Sequence, residues 1–157
     1  MNRTAARHEI LSHTADVGLR VDAPDLPALF GEAAAALAEL AADVPDGARE
    51  LPPERVELEA ADLVGLACEW LNELIGLAEV GRGALVEARV ERLEQVPPPG
   101  DPGDEASWAW RLDGTLRLAR FEDGAARPRL GVKSATYHDL RVERSGAGWT
   151  LTAYLDV

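Results

Sequence analysis

Two stretches of the chain repeat apolar residues at the spacing of an α-helix. The first follows Asp25, whose carboxylate can cap a helix N-terminus, and Pro27 is tolerated in a first helical turn. These signals predict a helix from about Leu26 to Ala42. The second stretch follows Asp62, another good cap, and its apolar positions share one helical face. The members of that face are Leu63, Leu66, Ala67, Trp70, Leu71, Leu74 and Leu77. The polar residues of the stretch are predicted to lie mostly on the opposite, solvent side, and they are Glu69, Asn72, Glu73 and Glu79.

Most other apolar residues alternate with polar ones, which is typical of half-buried strands. The predicted strands cover residues 9–11, 17–21, 56–60, 86–90, 108–112, 116–118, 140–142 and 149–155. Asp113-Gly114 is predicted to turn or bulge the chain, and the last two strands should form a hairpin. The Pro- and Gly-rich residues 97–107 are predicted to form a long loop.

Two helices near the front of the chain and many strands behind them predict an α+β fold. We expect one domain, residues 1–157, in which a mostly antiparallel sheet packs against the two helices. No second apolar core lies on either side of the 97–107 loop, so that loop is predicted to be a connection inside the domain.

The composition narrows the possible functions. Hydrophobic residues make up 46% of the 157 positions and charged residues 28%, as in ordinary globular proteins. The net charge of -12 argues against strong direct binding to nucleic-acid backbones, which attract basic surfaces. No apolar run approaches the roughly 20 residues that span a bilayer, so no membrane association is expected. The single Cys68 fits a small buried residue in a reducing, cytoplasmic setting.

Candidate chemistry is concentrated at the two ends of the chain. Asp16 stands at the entrance of a predicted strand, close behind His13, and Asp156 stands beside the terminal carboxylate of Val157. Carboxylates drawn together repel one another unless a cation neutralises them, and hard divalent cations prefer oxygen ligands. The alternative interpretation is a turn or capping role for Asp16 and a solvated tail at Asp156.

A second polar motif, Lys133-Ser134-Ala135-Thr136-Tyr137-His138, leads towards the C-terminal hairpin. In an extended strand its odd-numbered residues share one face, and Ser134, Thr136 and His138 share the other. Lys133 and His138 therefore point together only if a bulge intervenes. Lys133 either neutralises the carboxylates or reaches a partner from the surface.

Taken together, these motifs resemble the archease family. The resemblance rests on segments spread over nearly the whole chain, in the family's order. They are His13-Thr14-Ala15-Asp16-Val17-Gly18, the helix with Leu29-Phe30, Glu69-Trp70-Leu71-Asn72-Glu73-Leu74, Lys133-Ser134-Ala135-Thr136-Tyr137-His138 and the terminal Asp156-Val157.

The resemblance implies a non-enzymatic activator of an RtcB-type RNA ligase, which joins RNA ends in tRNA splicing and repair. Archease-like proteins promote guanylylation of a ligase histidine and so support multiple turnover. The resemblance also implies a divalent cation, calcium in known members, held by Asp16, Asp156 and the terminal carboxylate of Val157. It makes Lys133 a candidate for function, and His13, Thr136 and His138 are possible supporting residues.

Two other functions remain open from the sequence. One is a stand-alone metal-dependent phosphoester hydrolase, in which Asp16, His138 and Lys133 supply metal binding, proton transfer and charge stabilisation. The other is a chaperone-like modulator of several RNA-modifying enzymes.

Overall fold

A computed structural model describes residues 5–12, 16–81, 83–121 and 125–157. Its strands are β1 (Arg7–Ser12), β2 (Asp16–Ala23), β3 (Ala42–Asp43), β4 (Glu54–Ala60), β5 (Gly83–Val96), β6 (Ala109–Arg120), β7 (Arg127–Pro128), β8 (Ser134–Ser145) and β9 (Gly148–Asp156). Its helices are α1 (Leu26–Ala41) and α2 (Leu63–Gly81). Neither described helix has the length and apolar character to cross a bilayer.

Both helices begin where the capping residues predict. The Asp25 carboxylate accepts a hydrogen bond from the backbone N–H of Ala28 at 2.9 Å, and the Asp62 carboxylate accepts one from Gly65 at 2.7 Å. The first helix ends within one residue of its predicted boundary, at Ala41. The second runs four residues beyond Leu77, to Gly81.

The predicted α+β class, with mostly antiparallel pairing and two helices, is confirmed. The strands divide between two main sheets rather than forming one: a four-stranded sheet in the order β1-β2-β9-β8 and a three-stranded sheet in the order β4-β6-β5. The short β3 and β7 pair separately, and every pairing is antiparallel. Each helix contacts strands of both main sheets, so the helix pair joins them into one core.

The core centres on Trp70, which is fully buried on α2. Its indole N–H donates a 2.9 Å hydrogen bond to the backbone carbonyl of Phe30 on α1, so the largest core side chain also links the helices. A Cβ at Gly114 would meet the Arg89 carbonyl at 2.8 Å and the Trp70 ring at 3.4 Å. Gly114 therefore lets β6 pass close under the indole ring.

Of the two alternatives predicted at Asp113-Gly114, the turn is wrong, whereas a bulge does occur at this place in the pairing of β5 with β6. The chain runs through both residues as a single strand, β6, and the register shift lies on the partner strand β5, between Val90 and Arg92. Trp108 was predicted to lie in the strand, but it precedes β6 and its indole N–H bonds the Pro102 carbonyl at 2.7 Å. The alternation of apolar and polar residues reveals neither the strand continuing through Gly114 nor the loop contact of Trp108.

Cys68 is buried on α2, 4% exposed, as its apolar surroundings predict. Burial raises the pKa of its thiol, and this effect outweighs the hydrogen bonds from Tyr137 and Asn72 that lower it. The neutral thiol behaves as a small core residue.

The edge strand β1 is attached to α1 through His8. Its Nδ1 lies 2.8 Å from a Glu32 carboxylate oxygen, and its Nε2 lies 2.5 Å from one of Glu39. Burial opposes the imidazolium charge, but the hydrogen bonds to Glu32 and Glu39 outweigh burial and raise the pKa of His8 above its ordinary value.

We predict that this contact makes stability pH-dependent. A raised folded-state pKa gives a contribution that is fully present below the unfolded pKa of about 6.5 and is lost as the pH rises through the folded pKa. His8→Gln should therefore lower the free energy of unfolding most between about pH 5 and 6.5, with the difference shrinking at higher pH. Urea titrations across this range measure the difference. Arg7→Gln, an exposed neighbour on β1, is the control and should show no such trend; a pH-independent His8→Gln effect would contradict the assignment.

Candidate metal centre

The register of the four-stranded sheet brings the two ends of the described chain together. The first residue of β2, Asp16, pairs directly with the last residue of β9, Asp156. Directly opposed residues of an antiparallel pair have their side chains on the same face, with Cβ atoms about 4.5–5.5 Å apart. The two carboxylates that the sequence predicts to share a site are therefore cross-strand neighbours.

These carboxylates lie on the face of the sheet that points away from the core. Leu155 directly precedes Asp156 and Leu19 lies three positions after Asp16, so both project to the opposite face, where they are fully buried. Asp156 is exposed, and Asp16 is partly exposed. A cation held between the two side chains would thus be reachable from solvent or from a docked partner.

On the same face of the sheet, the next pair after the acidic residues is Gly18 and Tyr154. A Cβ at Gly18 would lie 3.0 Å from Cε1 of the Tyr154 ring and 2.9 Å from the Cβ of Leu11. The glycine therefore leaves room for the tyrosine ring beside the acidic pair. This is a packing reason for the glycine that follows Asp16-Val17 in the sequence motif.

The two aspartates fit a hard divalent cation on the condition that a third anionic donor joins them. Among the described residues, no three His, Cys, Asp or Glu side chains are grouped closely enough to hold a metal ion. The third donor expected from the family resemblance is the carboxylate of Val157, the residue after Asp156. Two Asp carboxylates with a terminal carboxylate form an all-oxygen set of the kind that calcium prefers.

Lys133 approaches the acidic pair through its backbone. Its N–H donates a 2.8 Å hydrogen bond to the carbonyl of Asp156, and the following residue, Ser134, pairs with Asp156 across β8 and β9. The exposed Lys133 lines a hollow at the C-terminal ends of α1 and α2. Among the described residues no carboxylate lies within ion-pair distance of its ammonium group.

Thr136 and His138 are separated by a bulge in β8. Thr136 pairs with Tyr154 and keeps the alternation that places it on the face of Asp156. The next four residues, 137–140, then lie opposite the single Ala153, and Asp139 adopts a left-handed φ of 54°. His138 projects from this bulge, 78% exposed, with its Nε2 3.2 Å from the Asp139 carboxylate. The alternation expected from the sequence thus holds at Thr136 and ends before His138. His13, the remaining candidate, lies outside the described residues.

Asn72 is a polar residue that sequence reasoning placed on the solvent side of its helix, and that placement is wrong. Its side-chain amide donates to the Ala135 carbonyl at 3.1 Å, and its carbonyl accepts from the Ala135 N–H at 2.8 Å. β8 is the edge of its sheet at this point, so Asn72 supplies the two bonds that a neighbouring strand would make. The residue thereby positions the segment that carries Lys133 and Thr136. A lone Asn within an acidic helix face gives no periodic signal for this role.

Known proteins resemble this chain over nearly its whole length. Residues 8–157 match the model of the Archease protein family (MTH1598/TM1083). The chain is 30% identical over 151 residues to Protein archease of Methanopyrus kandleri, covering 95% of this chain and 98% of that protein. It is also 30% identical to Protein archease of Archaeoglobus fulgidus, covering 96% and 99% of the two chains. This chain belongs to the archease family.

The archease fold is also seen in a solved structure. The solution structure of Methanobacterium thermoautotrophicum protein 1598 superimposes with a TM-score of 0.72 and covers 96% of this chain and 98% of its own. At 24% sequence identity, this superposition shows that the two proteins share a fold. The family resemblance read from the motifs is therefore confirmed, together with its fold.

We predict that Asn72 anchors the Lys133–Thr136 segment of this archease. Asn72→Leu preserves most of the side-chain volume but leaves the Ala135 N–H and C=O without their partners. The free energy of unfolding should fall by about 2 kcal/mol, the typical cost of buried polar groups left unpaired. Urea denaturation measures the change, with the exposed neighbour Glu73→Gln as a control expected to stay within about 0.5 kcal/mol. Equal stability of Asn72→Leu and the parent would contradict an anchoring role.

Proposed function

We propose that this archease is an activator of an RtcB-type RNA ligase in tRNA splicing and RNA repair. It acts by promoting guanylylation of the ligase, which supports multiple turnover, and it does not itself join RNA. Family membership over residues 8–157 supports this function. The observation that carries it for this chain is the direct pairing of Asp16 with Asp156, because it gives the protein one compact acidic feature that a partner can engage.

The proposal includes a divalent cation, most simply calcium, at this acidic pair. Asp16 and Asp156 hold it from adjacent strands, and the terminal carboxylate of Val157 completes the anionic set. The bound cation supplies a concentrated positive charge that neutralises the three carboxylates and can interact with phosphate oxygens. The two strands hold the carboxylates on the exposed face of the sheet, where the ligase can reach them.

The arrangement of the polar residues does not favour the alternative of a stand-alone hydrolase. Such an enzyme needs a general acid or base within hydrogen-bond reach of the metal-activated group. His138 lies beyond the β8 bulge and contacts Asp139 instead. Lys133 contacts the acidic pair through its backbone while its side chain is part of another surface.

The proposed activity is tested by ligase guanylylation with GTP, measured with and without this protein. We expect the parent to accelerate guanylylation, and Asp156→Asn to reduce that acceleration by about tenfold or more, equivalent to roughly 1.4 kcal/mol of barrier. A short Gly-Ser extension after Val157 should cause a similar loss, because it converts the terminal carboxylate into a neutral amide.

Two matched variants separate this effect from general damage. The same extension at the N-terminus, and Val157→Ala, both leave the terminal carboxylate in place and should retain full acceleration. No acceleration by the parent protein of the ligase from the same organism would defeat the proposed function. Full acceleration by the C-terminally extended protein would mean that the terminal carboxylate has no part in the site.

Calcium binding has a separate thermodynamic signature. Close carboxylates destabilise the free protein, so Asp156→Asn should match or exceed the parent in melting temperature when calcium is chelated. At saturating calcium the order should reverse, with the parent gaining roughly 5 °C or more and the variant gaining little. Differential scanning calorimetry in chelator and in calcium measures both values. An equal calcium-induced shift in both proteins would contradict a site at Asp156.

A further inference from the structure

A hollow of about 620 Å³ opens between the C-terminal ends of the two helices. It is bordered by the start of β5 and by the segment 128–133, and its floor is mostly apolar. Representative lining residues are Leu37, Ala41, Ile75, Ala78, Leu130 and Val132. A hollow of this volume is in the range that holds a ligand or several side chains of a partner. We call it the helix-end hollow.

The chain segment 125–133, part of which borders the hollow, is basic. Lys133 is the cation of this segment that lines the hollow itself. This segment holds Arg127, Arg129 and Lys133 and no acidic residue, whereas the whole protein carries a net charge of -12. All three cations are exposed. Arg129 donates to the Glu39 carbonyl in the last turn of α1 at 3.3 Å, but none of the three has a carboxylate partner among the described residues.

Lys133 is the one lysine of the sequence, beside fifteen arginines. It lines the helix-end hollow, and its backbone N–H donates a hydrogen bond to the backbone carbonyl of Asp156. The hollow therefore adjoins the candidate metal centre. The acidic Glu79 lines the hollow from α2 and forms no ion pair with Lys133. An ammonium that has no ion-pair partner within the described part of the chain, beside an apolar floor, is complementary to an acidic residue flanked by apolar ones.

We propose that the helix-end hollow receives a segment of the ligase that combines apolar side chains with an aspartate or glutamate placed against Lys133. This inference rests on the proposed function, because the ligase is the partner. The apolar floor favours a peptide segment over an RNA backbone, which would be bound by cations alone. Binding here orients the ligase next to Asp16 and Asp156, since the Lys133 backbone connects the two places.

The single lysine makes the contact directly measurable. Acetylation with an amine-reactive ester modifies Lys133 and the N-terminal α-amine, and the α-amine serves as an internal reference. In the complex with the ligase, acetylation of Lys133 should slow by at least about fivefold relative to the α-amine. Mass spectrometry reports both rates.

Variants of the hollow test the contact independently. Gly131 lines the hollow and a Cβ added there meets nothing within 4 Å, so Gly131→Trp adds bulk at the hollow without a clash at Cβ, and Gly131→Ala is the matched control. We expect Gly131→Trp to weaken ligase binding at least about tenfold by calorimetry, and Gly131→Ala to bind like the parent. Lys133→Glu should also weaken binding about tenfold. Arg92→Glu, the same charge change at the far part of β5, should have little effect.

The outcomes distinguish this inference from the proposed function. Suppose that the ligase binds and is guanylylated normally, while Lys133 is unprotected and Gly131→Trp is fully active. The hollow is then not the docking site, and the activator function still stands. Absence of both binding and acceleration defeats the function and the inference with it. Protection of Lys133 by RNA alone, or by raising the protein's own concentration, would assign the hollow to nucleic acid or to a second copy and overturn the inference.

Discussion

The pairing of β2 with β9 is the constraint on which the rest of the account depends. Its register is fixed by the apolar alternation of both strands, because Leu19, Val21 and Leu155 must all face the core. A slip of one residue would turn those side chains to solvent and carry Asp16 towards the apolar interior. The same burial that stabilises the sheet therefore holds Asp16 and Asp156 side by side, where the proposed cation would neutralise both carboxylates.

Much of the architecture follows from local signals in the sequence. Asp25 and Asp62 begin the helices, since each carboxylate satisfies a backbone N–H that no helical carbonyl can reach. The alternation of apolar and polar residues locates the strands, because successive side chains of a strand point to opposite faces and one of those faces is buried. The division into two main sheets was not predictable, because alternation states which face is buried but not which strand is the neighbour. The role of Gly114 under Trp70 likewise depends on a contact between distant segments.

The candidate site shows the same limit. Asp16 and Asp156 were predicted to meet through family resemblance, and the register places them together. Alternation succeeds for Thr136 and fails for His138, because an irregularity of four residues against one leaves no mark in the polar pattern. Asn72 was misplaced since one polar residue on a helix is read as solvent-facing, whereas here it bonds the edge of β8. The basic segment 125–133 is visible in the sequence, but the hollow that Lys133 lines requires the folded chain.

The most direct test is the register itself, measured by nuclear Overhauser effects in the isotope-labelled protein in solution. Antiparallel partners give short distances between their α-protons or between their amide protons, according to the type of pair. We expect cross-strand contacts that link Asp16 to Asp156 and Gly18 to Tyr154. Contacts that instead link Asp16 to Leu155, or that show no proximity between residue 16 and the last two residues, would contradict this register.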